Sequence, residues 1–401
     1  MVRYASLFSQ VLSLINRHEF ATAAKRFRAE KGSKGFSCWD QFVAMLFCQL
    51  AQAKSLREIV QGLLCCEGRL QHLGVRAAPK RSTLSYANAH RPWKLFEAVF
   101  YPLLKQCQQA APPRTKFRFK NKLLLLDATV IELCVTMFDW ARFRRTKGAI
   151  KLHLLLDHDG YLPVFAHLSE GRQHEIKLAR GLCLPRGSVV AMDRAYVDYR
   201  LFQNWTERGI YFVTRLKRKA NYLAFQKRRV PRKNKSLIRK DELIDLTPWA
   251  AGRVCKAILR RIEVWVPEKQ EPLVLVTNQL QWSAQTIAAI YKERWQIEWF
   301  FKALKQYLKI KSFVGTSANA VHIQIWTALI AMLLVKYLQL RAKIGWALSN
   351  LVALLRWNLF TYRDLWRWID APFDTPAGSE VAVQTWLMLD SIQPTQATTS
   401  T

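Results

Sequence analysis

The chain has 401 residues, half of them hydrophobic, with 62 Lys and Arg against 29 Asp and Glu and a formal net charge of +33. This length and apolar content exclude a disordered polypeptide and allow two or three domains around at least one large core. So positive a balance, spread along the whole chain, points to a polyanion, most simply a nucleic acid, rather than to one polybasic membrane anchor.

The N-terminus, MVRYASLFSQVLSLINRHEF, has no apolar run followed by a small-residue cleavage site, so no signal peptide is expected. Residues 1–115 carry helical periodicity almost throughout and form an all-helical N-terminal domain. WDQFVAMLFCQLAQAK leads to a Ser-capped SLREIVQGLL and a linker with Gly74 and Pro79; RSTLSYANAHR follows, with Ser82 or Thr83 as N-cap. Three short helices, the last opening on Lys80, Arg81, Ser82 and Thr83, fit a helix-turn-helix DNA reader, in which Lys80 and Arg81 meet the DNA. A plain helical bundle has the same pattern. QQAAPPRTKFRFKNK is a basic, proline-containing linker.

The period then changes. KLLLLDATVIELC is a buried strand with Asp127 at its end, followed by a second apolar stretch. AIKLHLLLDHDGYLPVFAHLS is a hairpin turning at Asp159-Gly160. HEIKLARGLCL is a short helix, and GSVVAMDRAYVDY is a buried strand ending on Asp193. YRLFQNWTERG is a helix stopped by Gly209, and IYFVTRLK is a strand. The order is that of an α/β, ribonuclease-H-like core, occupying 116–216 and resuming over 284–345. Between these parts, 217–283 is a β-rich basic insertion, with Pro231 and Asn234 breaking any helix before the antiparallel strands CKAILRRIEVWV and EPLVLVTN. Residues 346–401 form a helical C-terminal region ending in a disordered tail, QPTQATTST.

Two lone acids end aliphatic strands, Asp127 after LLLL and Asp193 after VVAM, at the rim where open α/β sheets place their sites. The later helix YKERWQIEWFFKALK adds Glu298. At 100° per residue, Tyr291, Arg294, Glu298 and Lys305 fall at roughly 0°, −60°, −20° and −40°, one narrow stripe, with Trp295, Ile297, Phe301 and Leu304 packing beneath. A solvated face of i,i+4 ion pairs is the plain alternative. Three carboxylates converging on a sheet rim suit two Mg²⁺ ions about 3.5–4 Å apart, the arrangement that cleaves phosphodiesters.

LLLLDATVIE, VVAMDRAYVD and YKERWQIEWFFKALK resemble the three acidic blocks of DDE transposases of bacterial insertion sequences, specifically the insertion-sequence-four group. Asp127-Ala128-Thr129 and Asp193-Arg194-Ala195-Tyr196 match the first two blocks, and Tyr291, Arg294, Glu298 and Lys305 match the third at every position. The resemblance covers about 120–345. It implies that Asp127, Asp193 and Glu298 are catalytic ligands of Mg²⁺, with Mn²⁺ as substitute, and that Tyr291, Arg294, Lys305 and Arg194 contact DNA. It further implies terminal inverted repeats and target DNA as partners, a homodimer in the synaptic complex, and cut-and-paste transposition in the cytoplasm at the nucleoid. A stand-alone ribonuclease-H-like nuclease and a catalytically idle DNA-binding relative are the rival readings. Family members stack a flipped base on a Trp of the β insertion; Val274 stands there instead, with Trp265 and Trp282 nearby, so a hairpin-end step is not implied.

Other acids and histidines have ordinary explanations. Asp157 and Asp159 belong to the hairpin turn and Asp198 is a helix N-cap, while Asp139 and Glu293 fall outside the matched pattern and neither His153 nor His174 is needed as a base. The eight cysteines lack zinc spacing and are expected reduced and mostly buried. The most apolar run, Ile325 to Val335, is about half the length needed to span a bilayer, so no membrane partner is expected.

Overall fold

The computed structural model describes residues 5–374 except 67, 113–116, 135–136, 139, 141, 145–146, 172–173, 232–236, 247–253, 309 and 311; Asp139, Asn234 and the expected disordered tail lie outside the described residues. The N-terminal part is helical: α1 (Leu7–Ser13), α2 (Arg17–Arg26), α3 (Cys38–Leu50), α4 (Leu56–Leu64), α5 (Arg81–His90) and α6 (Lys94–Ala110). Ser37 and Asp40 form a capping box on α3, and the Ser55 side chain caps α4. The expected cap of α5 at Ser82 or Thr83 is corrected to Lys80, which makes no side-chain cap bond. The helix starts two residues after Pro79, so both hydroxyl residues lie in its first turn.

Ten strands form one sheet among the described residues: β1 (Leu123–Leu133), β2 (Arg142–Arg144), β3 (Lys147–Asp157), β4 (Leu162–Glu170), β5 (Val189–Met192), β6 (Tyr211–Arg215), β7 (Leu223–Lys227), β8 (Ile238–Asp245), β9 (Leu259–Val266) and β10 (Glu271–Thr277). The order is β2-β3-β1-β5-β6-β10-β9-β8-β7, with β4 also on β3. β1, β5 and β6 are parallel, and every other pairing is antiparallel. The β3–β4 hairpin turns where expected, with Gly160 at φ +71°. The insertion strands extend the core sheet through β10 on β6.

The helices α7 (Glu175–Gly181) and α8 (Tyr199–Glu207) cover one face, where Leu124, Leu126, Val190 and Met192 pack against Leu201, Phe202 and Trp205. The other face, carrying Leu123, Leu125 and Ala191, is covered by α9 (Ala284–Glu293) and α10 (Trp295–Tyr307). Period-two alternation explains the division: odd-numbered β1 positions face α10 and even ones face α8.

Helix α11 (Ala318–Arg341) runs through the centre against α3, α5 and α6. Its length and composition would suffice to cross a membrane, which corrects the shorter span read from the sequence, but 83% of its apolar window is buried in the protein. A helix apolar all round fits either a protein core or a bilayer, and this burial puts it in the core. The N-terminal helices share that core with α12 (Leu348–Asn358) and α13 (Leu365–Asp370), so one apolar cluster crosses the expected boundaries near 115 and 345. Cys38, Cys48, Cys107 and Cys255 are buried, whereas Cys65, Cys134 and Cys183 are exposed, so fewer thiols are inside than expected.

Candidate active site

Asp127 is not at the end of its strand. It is the fifth residue of β1, because pairing with β3 continues to Leu133 and Gly148. What ends beside it is the parallel ladder with β5, whose last pair is Leu126 and Met192. The next residues on the two neighbouring chains are Asp127 and Asp193. Strand alternation turns both toward the α10 face, the side of Leu125 and Ala191.

The third block is not one continuous helix. The chain breaks at Arg294, between α9 and α10, so the stripe deduced from a single helix does not persist. Tyr291 and Arg294 are buried, at 4% and 5% exposure, rather than lying on an open face. Tyr291 lies on α9, which packs against β5 and β6, and its hydroxyl pKa is raised by burial, with Asp193 adding to the rise. Ile297, Phe301 and Leu304 are buried as expected, but Trp295 is half-exposed.

Arg294 binds both acids. Its Nη1 is 3.3 Å from Asp127 Oδ2 and its Nη2 is 2.6 Å from Glu298 Oε1. Asp127 Oδ1 accepts from the Ala128 N–H at 2.8 Å. Burial pushes the Asp127 carboxyl up to about 6; the charges of Asp193 and Glu298 add to this, and the Ala128 N–H and Arg294 oppose it. Asp193 and Glu298 therefore each lie within electrostatic reach of Asp127. Tyr196 is buried within electrostatic reach of Asp127 and Asp193, its hydroxyl without a hydrogen-bond partner and its ionisation suppressed by burial and by Asp127, Glu175 and Asp193.

A cleft of about 430 Å³ opens over Asp127, Thr129, Glu298, Lys302 and Lys305; Asp193 is not in its lining. Lys305 Nζ donates to Thr129 Oγ1 at 2.6 Å and to the Val130 carbonyl at 3.1 Å. Arg194 is exposed beside Asp193. Lys80 and Arg81 are exposed at the start of α5, and the structure does not bring them into the cleft.

Three oxygen ligands with a cation already between two of them fit a hard divalent metal by donor type. Among the described residues, however, no three acid, His or Cys side chains are gathered closely enough to hold one ion as they stand. Arg294 supplies the countercharge. Sequence reasoning misses Thr129, Tyr196 and Lys302 as site residues; the first two lie inside the matched blocks, whereas a lysine four residues after Glu298 has no distinctive signal.

The remaining side chains sit as their types suggest. Asp198 caps α8 and pairs with Arg180, Asp157 pairs with Lys122, and His153 is buried on Ser169 with its pKa lowered to about 4 by burial. Trp265 lies under Arg239, Trp282 stacks on Phe119, and Val274 is partly buried against the core.

The family model of the transposase DDE domain matches residues 118–334, more than half the chain and a span holding all three acids; a domain of unknown function, DUF4372, matches 3–76. A relative from Sinorhizobium fredii, named as a transposase, is 28% identical over 72% of this chain and 80% of its own length. Another, from Geobacillus stearothermophilus and named for an insertion sequence element, is 27% identical over 64% of this chain and 67% of its own. A third, from Synechocystis, also named for an insertion sequence element, is 25% identical over 66% and 73%. A piggyBac transposase synaptic complex with hairpin DNA aligns over 88% of this chain and 79% of that one, but at 12% identity and a TM-score of 0.39 it is too distant to bear on the fold. With its three acidic blocks inside the matched span, the chain belongs to the DDE transposases of insertion sequence elements, enzymes that act on DNA in transposition.

Proposed function

We propose that this transposase belongs to the insertion-sequence-four group and carries out cut-and-paste transposition with Asp127, Asp193 and Glu298 as its catalytic acids. The observation that carries this reading is the register Leu126–Met192, which sets Asp127 beside Asp193, together with the Arg294 bridge from Asp127 to Glu298. The strand order β4-β3-β1-β5-β6, with β1, β5 and β6 parallel, supports a ribonuclease-H-like core. In this reading 116–216 and 284–345 are the two parts of that core, 217–283 is the insertion, 1–115 a DNA-binding domain and 346–401 a C-terminal region.

The three acids would hold Mg²⁺, or Mn²⁺ in its place. Such ions, when bound, supply activation of the attacking oxygen and stabilisation of the leaving 3′-oxygen. The chain's own groups orient the DNA. Lys305 and Lys302 line the cleft and suit point contacts to phosphates, and the exposed Arg194 next to Asp193 could add another. Arg294 holds Asp127 and Glu298 with Nη1 and Nη2, donors that could turn to a phosphate once those carboxylates are otherwise neutralised. Tyr291, buried against the sheet, would act beneath that contact. Lys80 and Arg81 would engage the terminal inverted repeats from α5, and a homodimer would pair two ends before joining them to target DNA, in the cytoplasm at the nucleoid.

The test is single-turnover cleavage of a duplex carrying the element's own end. Asp127→Ala, Asp193→Ala and Glu298→Ala should each abolish cleavage while end binding in gel shifts stays near wild type. Retained divalent-dependent nicking by any of the three would sink the assignment.

A further inference from the structure

The turn between β3 and β4 reaches the break between α9 and α10 through side chains outside the acidic blocks. Glu293, the last residue of α9, is 3% exposed. Its Oε2 accepts from Tyr161 Oη at 3.0 Å and lies 3.0 Å from His158 Nε2. Phe117 and Tyr161 pack against the His158 ring, so water has little access to these polar contacts. Tyr161 has φ +51°, a left-handed conformation that a bulky L-residue seldom adopts and that persists only where its surroundings fix it. Here the unusual backbone delivers a phenol to a buried carboxylate.

The same turn is tied to the strand that bears Asp127. The His158 N–H donates to the Leu123 carbonyl at 3.0 Å, four residues before Asp127. Arg294 directly follows Glu293. The turn thus links the strand of one acid to the helix break whose arginine bridges to the other.

We propose that Glu293, held by Tyr161 and His158, is a positioning residue that sets Arg294, and through it Glu298, against Asp127. This rests on the reading of those acids as the reacting site. An anchor one residue before a helix break fixes the rotation of the next side chain, and a misplacement near 1 Å can cost a catalyst about a hundredfold.

The experiment compares Glu293→Gln, Tyr161→Phe and Arg294→Lys, with the pair Glu293→Gln/Arg294→Lys, in single-turnover cleavage of the element's end well below the melting temperature. Circular dichroism and gel shifts accompany each variant. Glu293→Gln should slow cleavage about tenfold or more and Tyr161→Phe about threefold, with end affinity within about twofold of wild type. On the Arg294→Lys background, Glu293→Gln should cost less than about threefold further, because the two act through one contact. Equal losses on both backgrounds, wild-type cleavage by both single variants, or a loss that matches the unfolded fraction would overturn the proposal. Should Glu293→Gln not fold, Tyr161→Phe, which keeps the ring, decides alone. Asp127→Ala in the same assay separates the two readings. Cleavage retained there refutes the site itself and this proposal with it; an inactive Asp127→Ala beside wild-type Glu293→Gln and Tyr161→Phe refutes the positioning alone.

Discussion

Arg294 Nη2 lies 2.6 Å from Glu298 Oε1, one helical turn ahead, while its Nη1 reaches Asp127 on a different element. The guanidinium therefore neutralises two acids that folding pushes together. Arg294→Ala should lower stability by about 1–3 kcal/mol, less than for a fully buried pair because the Glu298 side chain is 39% exposed. Arg294→Lys should recover only part, since an ammonium cannot bridge both carboxylates as a planar fork does. Urea unfolding midpoints check this, and an unchanged midpoint for Arg294→Ala would mean the bridge contributes nothing.

Stability should also depend on pH through Asp127. Burial, then Asp193 and Glu298, raise its carboxyl from 3.8 to about 6, so the folded state holds the proton more tightly than the unfolded chain. The folded state binds more protons between those values, and stability falls as pH climbs through them. Asp127→Asn should flatten that fall. Unfolding midpoints between about pH 4 and 7 measure it, and parallel curves for the two proteins would contradict the shift. If Asp127 acts as an ionised metal ligand, as proposed, cleavage should rise with pH over the same window.

Lys305 rests on Thr129 at the edge of the cleft. A neutral hydroxyl partner in a half-exposed setting contributes little to folding, so Lys305→Ala should change stability by less than about 1 kcal/mol. If Lys305 meets a phosphate beside the acids, as proposed, its removal should nonetheless slow cleavage, by about tenfold or more. Wild-type cleavage by Lys305→Ala would return this lysine to a surface role.

The exposed bases Lys217, Arg218 and Lys219 leave β6 on the way to the edge strand β7. If they follow a DNA backbone, replacing all three by Ala should reduce the log–log salt slope of binding by about 0.9 for each phosphate no longer neutralised. Gel-shift titrations at several salt concentrations measure the slope; no change would make this segment a solvated loop.

The sequence by itself determined the three acidic blocks, the strand–helix order of the core and the insertion's antiparallel strands, because alternation and charge are local properties. It also carried the caps at Ser55 and Asp198, which depend on residues three positions apart. Only the tertiary structure decided that Asp127 lies mid-strand, since the length of β1 is set by its partner β3, which pairs Asp127 with Leu154 and carries the ladder on to Leu133 and Gly148. The same holds for the break at Arg294: an unbroken helical pattern reads through it, whereas in the fold one helix ends at Glu293 and the next starts at Trp295, with Arg294 between them reaching Asp127 on β1. Glu293 carries no signal of its own in the sequence, because its partners, His158 and Tyr161, are more than a hundred residues away. Periodicity reports which face of an element is apolar; which residue meets which across 130 positions is fixed by packing, and the site is made of such meetings.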